Sequence, residues 1–193
     1  VTNIWAQPSV PFQTLSVPVV SNVPASGITL TNARLGAWLV AGGFADVRVY
    51  WGLTDGDTNA EAWQNTNGFG DVFAGSNSSW VAVVAGTTYY YRAYATNSEG
   101  FGWADSTGQF TTPNTKTWDD QVDGTWDIDT TQNWKLDGNP AAYRESIYCN
   151  DSAVFDDSAT GATNITLGSP VSPFSTLFTN NTRLYTLGGS GGI

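Results

Sequence analysis

Hydrophobic and polar residues alternate along several short segments of this 193-residue chain, which is the pattern of half-buried β-strands. Residues 47–51, 87–96 and 28–39 show it most clearly, the last with a change of register near Asn32 that is typical of a β-bulge. In residues 47–51, one face carries Val47, Val49 and Trp51, and the other carries Arg48 and Tyr50. Gly, Asn, Asp, Ser and Pro bound the segments. The best helical window, residues 59–64, allows one or two turns at most, so the sequence predicts an all-β fold.

The composition changes after Pro113, which indicates two regions. Before it, segments rich in Val and Tyr follow one another at intervals of roughly 8–12 residues, as in a sandwich. After it, residues 118–134 are dense in Asp and Trp, and short segments with Thr, Leu and Phe lead to a glycine-rich end. Residues 111–117 (TTPNTKT) have the composition of a linker. The sequence therefore predicts an immunoglobulin- or fibronectin-like sandwich at residues 18–113 and a second β-rich segment at residues 114–193.

A motif near the start of the chain recurs about one sandwich domain later. The first copy carries Trp5 and Phe12, and the second has Trp103 and Phe110 at the same spacing. One explanation is a chance match between two tryptophan-bearing strands. The other is that residues 1–17 resemble the last strand of a preceding module. Two interpretations follow. Either the chain is a slice of a tandem array, or this strand adds to the sheet edge of a neighbouring subunit and builds a filament.

Charge and composition exclude several classes of function. The chain has 17 acidic and 7 basic residues and a formal net charge of -10, which argues against binding to nucleic acid or to an anionic membrane surface. His is absent and Cys149 is the sole cysteine, so a His/Cys zinc site, a Ser-His-Asp triad and an internal disulfide are excluded. Cys149 is expected to be an inert, small side chain. No apolar run reaches the ~20 residues of a membrane span, and no signal peptide is visible.

Two resemblances to known families cover most of the chain. Residues 18–113 resemble a bacterial fibronectin type III-like module, through residues 47–52 (VRVYWG), 54–56 (TDG), 86–100 (GTTYYYRAYATNSEG) and 110–113 (FTTP). The remainder resembles the start of an autotransporter-associated β-strand repeat region of a large secreted or surface protein. Its matching pieces are residues 118–119 (WD), 124–126 (GTW), 133–134 (NW), 152–156 (SAVFD), 164–167 (NITL), 185–187 (YTL) and 189–193 (GSGGI). This second resemblance implies that residues 114–193 form part of a parallel β-solenoid.

Acidic residues suggest a calcium site after the linker. The candidate ligands are Asp119, Asp123, Asp127 and Asp129. Hard oxygen donors without His suit calcium, and a solvated, acidic turn region is the alternative interpretation. Asp55 and Asp57 do not fit an EF-hand, because position 12 of that pattern would be Thr66, and they predict a turn with side-chain-to-backbone hydrogen bonds. No other metal or cofactor is expected.

Tryptophan residues are the candidates for stacking on sugar rings, because the indole combines an apolar face with a polar N–H. Trp38, Trp51 and Trp80 lie in strand-like alternation and are expected in the sandwich core. Trp63 lies among polar residues and is the better candidate for the surface. Trp118, Trp126 and Trp134 recur every eight residues. They either cap the open end of a solenoid, where they cover strand edges, or bind glycan.

Together these features predict a non-enzymatic protein of the cell surface or the extracellular space, with a structural or adhesive role. Glu is scarce, and nothing in the pattern places two carboxylates in one cleft, as glycoside hydrolysis requires. Self-association with neighbouring subunits or tandem modules is expected, with no nucleic-acid partner and no membrane insertion. The alternative function is that of a carbohydrate-binding module that uses exposed Trp residues on a polysaccharide.

Overall fold

The computed structural model describes residues 14–147 and 149–193, and within them the chain is all-β, as the alternation predicts. Besides strands, these residues contain one 3₁₀ turn, Ala60–Ala62. None of the described residues belongs to a helix long and apolar enough to cross a membrane.

The strands before Pro113 build two sheets in a sandwich-like arrangement. They are β1 (Val19–Ser26), β2 (Asn32–Ala41), β3 (Ala45–Gly52), β4 (Asn65–Val72), β5 (Gly75–Ala82), β6 (Thr88–Asn97), β7 (Gly100–Trp103) and β8 (Gly108–Thr111). One sheet has the order β1-β2-β5, and the other has the order β4-β3-β6-β7, with β8 also pairing with β6. In the described residues, no sheet joins these strands to those that follow Pro113.

The described chain divides into two compact units. The first contains residues 14–24, 35–79 and 90–108, and the second contains residues 25–34, 80–89 and 109–193. The predicted boundary near Pro113 coincides with the change from one set of sheets to the next, but not with this division. As a domain boundary it stays a prediction.

The core of the first unit follows from the alternation in β3. Val49 lies opposite Ala93 and Trp51 lies opposite Tyr91 in the antiparallel pairing of β3 with β6. Because successive side chains of a strand point to opposite faces, one face of β3 is buried and the other is partly exposed. The buried apolar residues of this unit on β2, β3 and β6 are Leu35, Ala37, Leu39, Ala45, Val47, Val49, Trp51, Tyr91, Ala93 and Ala95.

The register change predicted near Asn32 is a turn, and the prediction of a bulge there is wrong. Asn32 donates its amide N–H to Oγ1 of Thr29 at 2.9 Å, and the Thr29 amide donates to the carbonyl of Asn32 at 2.8 Å. Strand β2 begins only at Asn32, so the residues before it are not held to the register of that strand. The alternation alone does not distinguish a slip within one strand from a turn between two. A bulge does occur in the β3–β4 pairing, between Val47 and Arg48.

The strands after Pro113 form two parallel ladders. They are β9 (Thr115–Trp118), β10 (Thr125–Trp126), β11 (Trp134–Leu136), β12 (Asn139–Ala141), β13 (Ser152–Phe155), β14 (Asn164–Leu167), β15 (Thr176–Phe178) and β16 (Thr186–Gly189). The first ladder has the order β9-β13-β15, and its edge at β9 continues into the antiparallel strands β11 and β12. The second ladder has the order β10-β14-β16. Between the last two strands of each ladder the offset is 23 positions, Ala153 to Thr176, and 22 positions, Asn164 to Thr186.

Aromatic rings fill the interior of the second unit beside these ladders. The ring centroids of Trp126 and Trp134 are 4.9 Å apart, and those of Trp118 and Trp134 are 5.1 Å apart, both edge to face. Edge-to-face contacts of this kind add to the stabilisation that burial provides. The buried cluster comprises Trp118, Trp126, Trp134, Tyr143, Ala153, Phe155, Ala159, Ile165, Leu167 and Val171.

Candidate functional site

The four tryptophans predicted to stack on glycans are buried, so the premise that they are exposed is wrong. Trp63 is 7% exposed, and Trp118, Trp126 and Trp134 are at most 1% exposed. The last three rings lie inside the core of the second unit, so they are not exposed to a surface ligand. That they cap the end of a solenoid stays a prediction. Their spacing of eight residues reflects three chain segments that each contribute one ring to that core.

Trp63 is buried because a polar loop folds over it. Its Nε1–H donates to the carbonyl of Asp57 at 3.2 Å. Gly56 lies against the ring so closely that an added Cβ would stand 2.7 Å from it. The predicted turn is present in this loop, since the Asp57 amide donates to Oδ1 of Asp55 at 2.8 Å. Polar neighbours in sequence thus surround this indole without exposing it.

Two tryptophans predicted in the sandwich core are exposed instead. Trp38 is 54% exposed and Trp80 is 58% exposed, whereas Trp51 is buried as predicted. On β2 the residues on either side of Trp38 are buried, so alternation places Trp38 on the opposite face. The position of Trp38 in the strand, and not its hydrophobicity, therefore determines its exposure.

The four candidate calcium ligands do not converge on one point. Within residues 14–147 and 149–193, no group of three or more His, Cys, Asp or Glu side chains is placed to hold a metal ion. Asp123 accepts from Asn133 Nδ2 at 2.8 Å, and Asp127 accepts from Oγ1 of Thr131 at 2.6 Å. Asp129 has a φ of 58° and donates its amide to a carbonyl, as expected of a turn residue. These carboxylates and amides therefore make hydrogen bonds within the turns of this segment and to neighbouring segments, in agreement with the alternative interpretation of an acidic turn region.

Asp119 is the one fully buried member of that acidic set. Lys135 Nζ lies 2.7 Å from its Oδ1, which also accepts from the Thr160 amide at 2.9 Å. Burial raises the pKa of the Asp119 carboxyl, but the hydrogen bonds from Lys135 and Thr160 outweigh it, and the net pKa lies below the ordinary value. The carboxylate therefore serves as a charged anchor between β11 and the loop after β13.

A second buried charge lies near the start of β9. Asp151 accepts from the amides of Asn114 at 2.8 Å and Arg144 at 3.2 Å, and Lys116 Nζ lies 3.8 Å away. Burial raises the pKa of Asp151 and lowers that of Lys116. Because the carboxylate is occupied by backbone amides, this pair fixes the chain path and is not free for acid–base chemistry.

Cys149 lies nearby with its thiol partly buried. Its Sγ donates to the carbonyl of Thr111 at 2.8 Å, and burial raises the pKa of the thiol. A raised pKa keeps the sulfur in its less reactive, protonated form. The other predicted functional residues, Trp5 and Phe12 of the assembly strand, lie outside the described residues.

The structure places an unpredicted set of aromatic side chains on the outer face of the β4-β3-β6-β7 sheet. We call this set the aromatic face; it consists of Tyr50, Tyr94, Phe101 and Trp103. The Trp103 ring centroid lies 5.1 Å from that of Tyr50 and 4.8 Å from that of Tyr94. Phe101 stacks on Tyr94 at 5.9 Å and is 62% exposed, while the other three rings are partly exposed. Contiguous exposed apolar surface of this kind is typical of interaction sites.

A groove runs beside the aromatic face on the same sheet. We call it the glycine groove; its volume is about 450 Å³, and it is lined by Asp46, Arg48, Thr66, Gly68, Gly70 and Asp71. Arg48 joins the two features, because it lies opposite Gly68 on one side and Tyr94 on the other. Its guanidinium donates to the carboxylate of Asp46, through Nε at 2.9 Å and through Nη2 at 2.5 Å.

The sequence alone predicts part of this surface, namely the residues that β3 contributes. Alternation already separates Tyr50 and Arg48 from the buried face of β3. What sequence reasoning missed is that Tyr94 and Trp103 lie beside them, because this depends on the order of strands in the sheet. The pairing of Tyr94 with both Arg48 and Trp103 joins residues that are distant along the chain.

Comparisons with known proteins give structural similarity at low identity. No protein-family model matches the sequence, and no curated protein matches it. The chain is similar to the sensor domain of the anti-sigma factor RsgI4 in Pseudobacteroides cellulosolvens, with 17% identity and a TM-score of 0.36, covering 51% of this chain and 97% of that one. A longer form of that domain gives 16% identity and a TM-score of 0.35, covering 50% and 89%. A structure described as a myokine gives 15% identity and a TM-score of 0.38, covering 52% and 99%.

Proposed function

We propose that this chain is part of a non-enzymatic structural or adhesive protein of the cell surface or extracellular space. In this proposal a fibronectin type III-like sandwich is followed by a segment of parallel β-solenoid. The sandwich acts as a spacer, and stacked coils carry the structural role.

The sandwich proposal is supported by its strand order. A three-stranded sheet, β1-β2-β5, accompanies a five-stranded sheet, in which β4-β3-β6-β7 follow one another and β8 also pairs with β6. Apart from the short strand β8, the strands are divided three and four, as in immunoglobulin-like sandwiches, whose architecture fibronectin type III modules share.

The solenoid proposal is carried by a single observation, the two parallel ladders, whose last two strands are offset by 23 and 22 positions and whose first two strands are offset by 37 and 41 positions. The parallel pairing brings side chains of successive strands together. Phe155 pairs with Phe178 at a ring distance of 4.7 Å, and Trp118 lies 6.2 Å from Phe155 on the other side. In a solenoid each repeat buries its apolar face against its neighbours, as this ladder of rings does.

The surface chemistry suits this role. With a net charge of -10 and no His, the chain has the charge that keeps an extracellular protein soluble, and it lacks the usual catalytic base. Assembly into a filament through residues 1–17 remains part of the proposal on the strength of the sequence motif alone.

Removal of one complete coil tests the solenoid proposal. Deleting residues 153–175 would join Ser152 to Thr176 and move the strand Thr176–Phe178 into the place of β13 beside β9. A solenoid is expected to tolerate this, because each coil contacts only its neighbours. The protein should keep its β-rich far-ultraviolet circular dichroism spectrum and unfold cooperatively in urea.

The matched control deletes residues 153–164, about half a coil. This variant should lose the near-ultraviolet signal of the buried tryptophans, because the remaining strands fall out of register. If both deletions unfold the second unit equally, its parallel strands belong to a single irreducible domain, and the solenoid proposal is wrong.

A further inference from the structure

The outer face of the β4-β3-β6-β7 sheet brings exposed aromatic rings and a polar groove together. We infer that this surface binds one or two sugar units of a soluble, neutral oligosaccharide, with the aromatic face contacting the sugar ring and the glycine groove contacting its hydroxyl groups. The inference rests on the geometry of the first unit and does not depend on the proposed structural function.

The aromatic face offers what a pyranose ring requires on its apolar side. Trp103 contacts both Tyr50 and Tyr94, so its neighbours already hold its ring in place before a sugar binds. A ring that is already ordered loses little side-chain entropy on binding. Tyrosine and tryptophan also carry a polar group at the edge of the apolar ring, which suits a ligand whose faces are apolar and whose rim is polar.

The glycine groove offers the polar part of the site. Its volume of about 450 Å³ falls within the ~300–1,000 Å³ typical of ligand pockets. Beyond the bonds that Nε and Nη2 of Arg48 donate to Asp46, the guanidinium carries further N–H groups and the carboxylate further lone pairs, and the two side chains are 43% and 24% accessible. The exposed carboxylate of Asp71 is a further acceptor in the lining. A sugar hydroxyl both donates and accepts, so it can use each of these groups.

Glycines keep the groove open. A Cβ added at Gly68 or Gly70 would meet nothing within 4 Å, so the space above both positions is empty. The φ of Gly70 is +73°, which the bulge opposite Val47 and Arg48 accounts for. Gly68 has no positive φ, so its backbone conformation does not require glycine. Glycine within a strand often marks a place where a ligand approaches closely.

Charge and ring orientation narrow the class of ligand. The lining holds two carboxylates and one guanidinium, and the chain as a whole is strongly acidic, so an anionic polysaccharide is disfavoured. The rings of Tyr50, Tyr94 and Trp103 are tilted to one another by 42°, 60° and 85°, so they do not form a flat platform for a crystalline surface. A short stretch of a soluble, neutral oligosaccharide fits both the charge of the groove and the tilt of the rings.

The test measures binding of soluble, neutral hexasaccharides to the full chain by isothermal titration calorimetry and tryptophan fluorescence. The probes are cellohexaose, xylohexaose, mannohexaose and chitohexaose. At least one should bind and change the fluorescence. Trp103→Ala and Arg48→Gln should each weaken that binding by about tenfold or more, because each removes one contact of the site. Gly68→Val should weaken it similarly by filling the groove, and because this variant adds a strand-favouring residue in open space it should remain folded.

The matched control is Trp38→Ala, which removes an exposed indole from β2 outside the proposed site. It should change the dissociation constant by less than about twofold. Absence of binding to all four hexasaccharides would overturn the inference. So would a loss of affinity in Trp38→Ala equal to that in Trp103→Ala, or unchanged affinity in a folded Gly68→Val variant.

Discussion

Replacing Phe155 by Ala tests whether the row of neighbouring rings Trp118, Phe155 and Phe178 is buried at Phe155 and open to solvent at Phe178. Phe155 is fully buried, with rings of Trp118 at 6.2 Å, Trp134 at 5.5 Å and Phe178 at 4.7 Å. Truncating a fully buried Phe costs about 3–5 kcal/mol, because the transfer energy is lost and a cavity remains. Phe178, on the next strand of the same ladder, is 48% exposed, so its truncation should cost only about half as much, ~2 kcal/mol.

The measurement is urea unfolding followed by near-ultraviolet circular dichroism, which reports the buried tryptophans. Amide exchange at Ala153, whose N–H donates to the carbonyl of Ser175 at 2.8 Å, localises the effect to the ladder. Phe73→Ala is the matched control, because this ring is 70% exposed in the first unit and its loss should leave amide exchange at Ala153 unchanged.

The reasoning is refuted if Phe178→Ala destabilises the protein as much as Phe155→Ala does. In that case the outer face of Phe178 is covered in solution, for example by a second copy of the chain. A concentration-dependent midpoint of unfolding would then identify association as the cause.

Two further predictions concern ionisable groups in the second unit. Lys135→Met should destabilise the protein by about 3 kcal/mol at neutral pH, because it leaves the buried Asp119 carboxylate without its cation. The pKa of Asp119 is lowered by folding, so the stability it contributes is present above the ordinary pKa near 4 and is lost as the pH falls through the folded value. Urea unfolding should accordingly show the difference between wild type and Lys135→Met shrinking below about pH 4, and a constant difference would contradict this account. Cys149, whose thiol pKa is raised by burial, should react with iodoacetamide more slowly at pH 8 in the folded protein than in urea, and equal rates would show that the thiol is not protected.

The sequence alone predicts which side chains are buried where this depends on alternation within a single strand. The burial of Val47, Val49 and Trp51 follows from alternation within one strand, and it is observed. The same rule would have placed Trp38 outside, since its neighbours on β2 face the core. Hydrophobicity alone predicts that Trp38 is buried, but its position in the strand determines its exposure.

The remaining features depend on contacts between distant parts of the chain. Trp118, Trp126 and Trp134 are polar-flanked in sequence, and only the packing of three separate segments makes them a core. The aromatic face likewise requires β6 to lie between β3 and β7. A local pattern does not specify which strands become neighbours in a sheet, so it predicts neither the aromatic face nor the burial of Trp63.

The two parallel ladders also determine how the second unit responds to mechanical force. In the described residues β15 pairs only with β13, and β16 pairs only with β14, so tension applied at Ile193 acts on the outermost strands first. These strands would detach one after the other, while the bonds of the next layer stay unloaded until the outer layer has gone. Release of a segment of 22 or 23 residues, the offset between the last two strands of each ladder, would lengthen the chain by roughly 75 Å. The ladder would thus yield in steps and dissipate work at each one, and it could pair again when the tension falls.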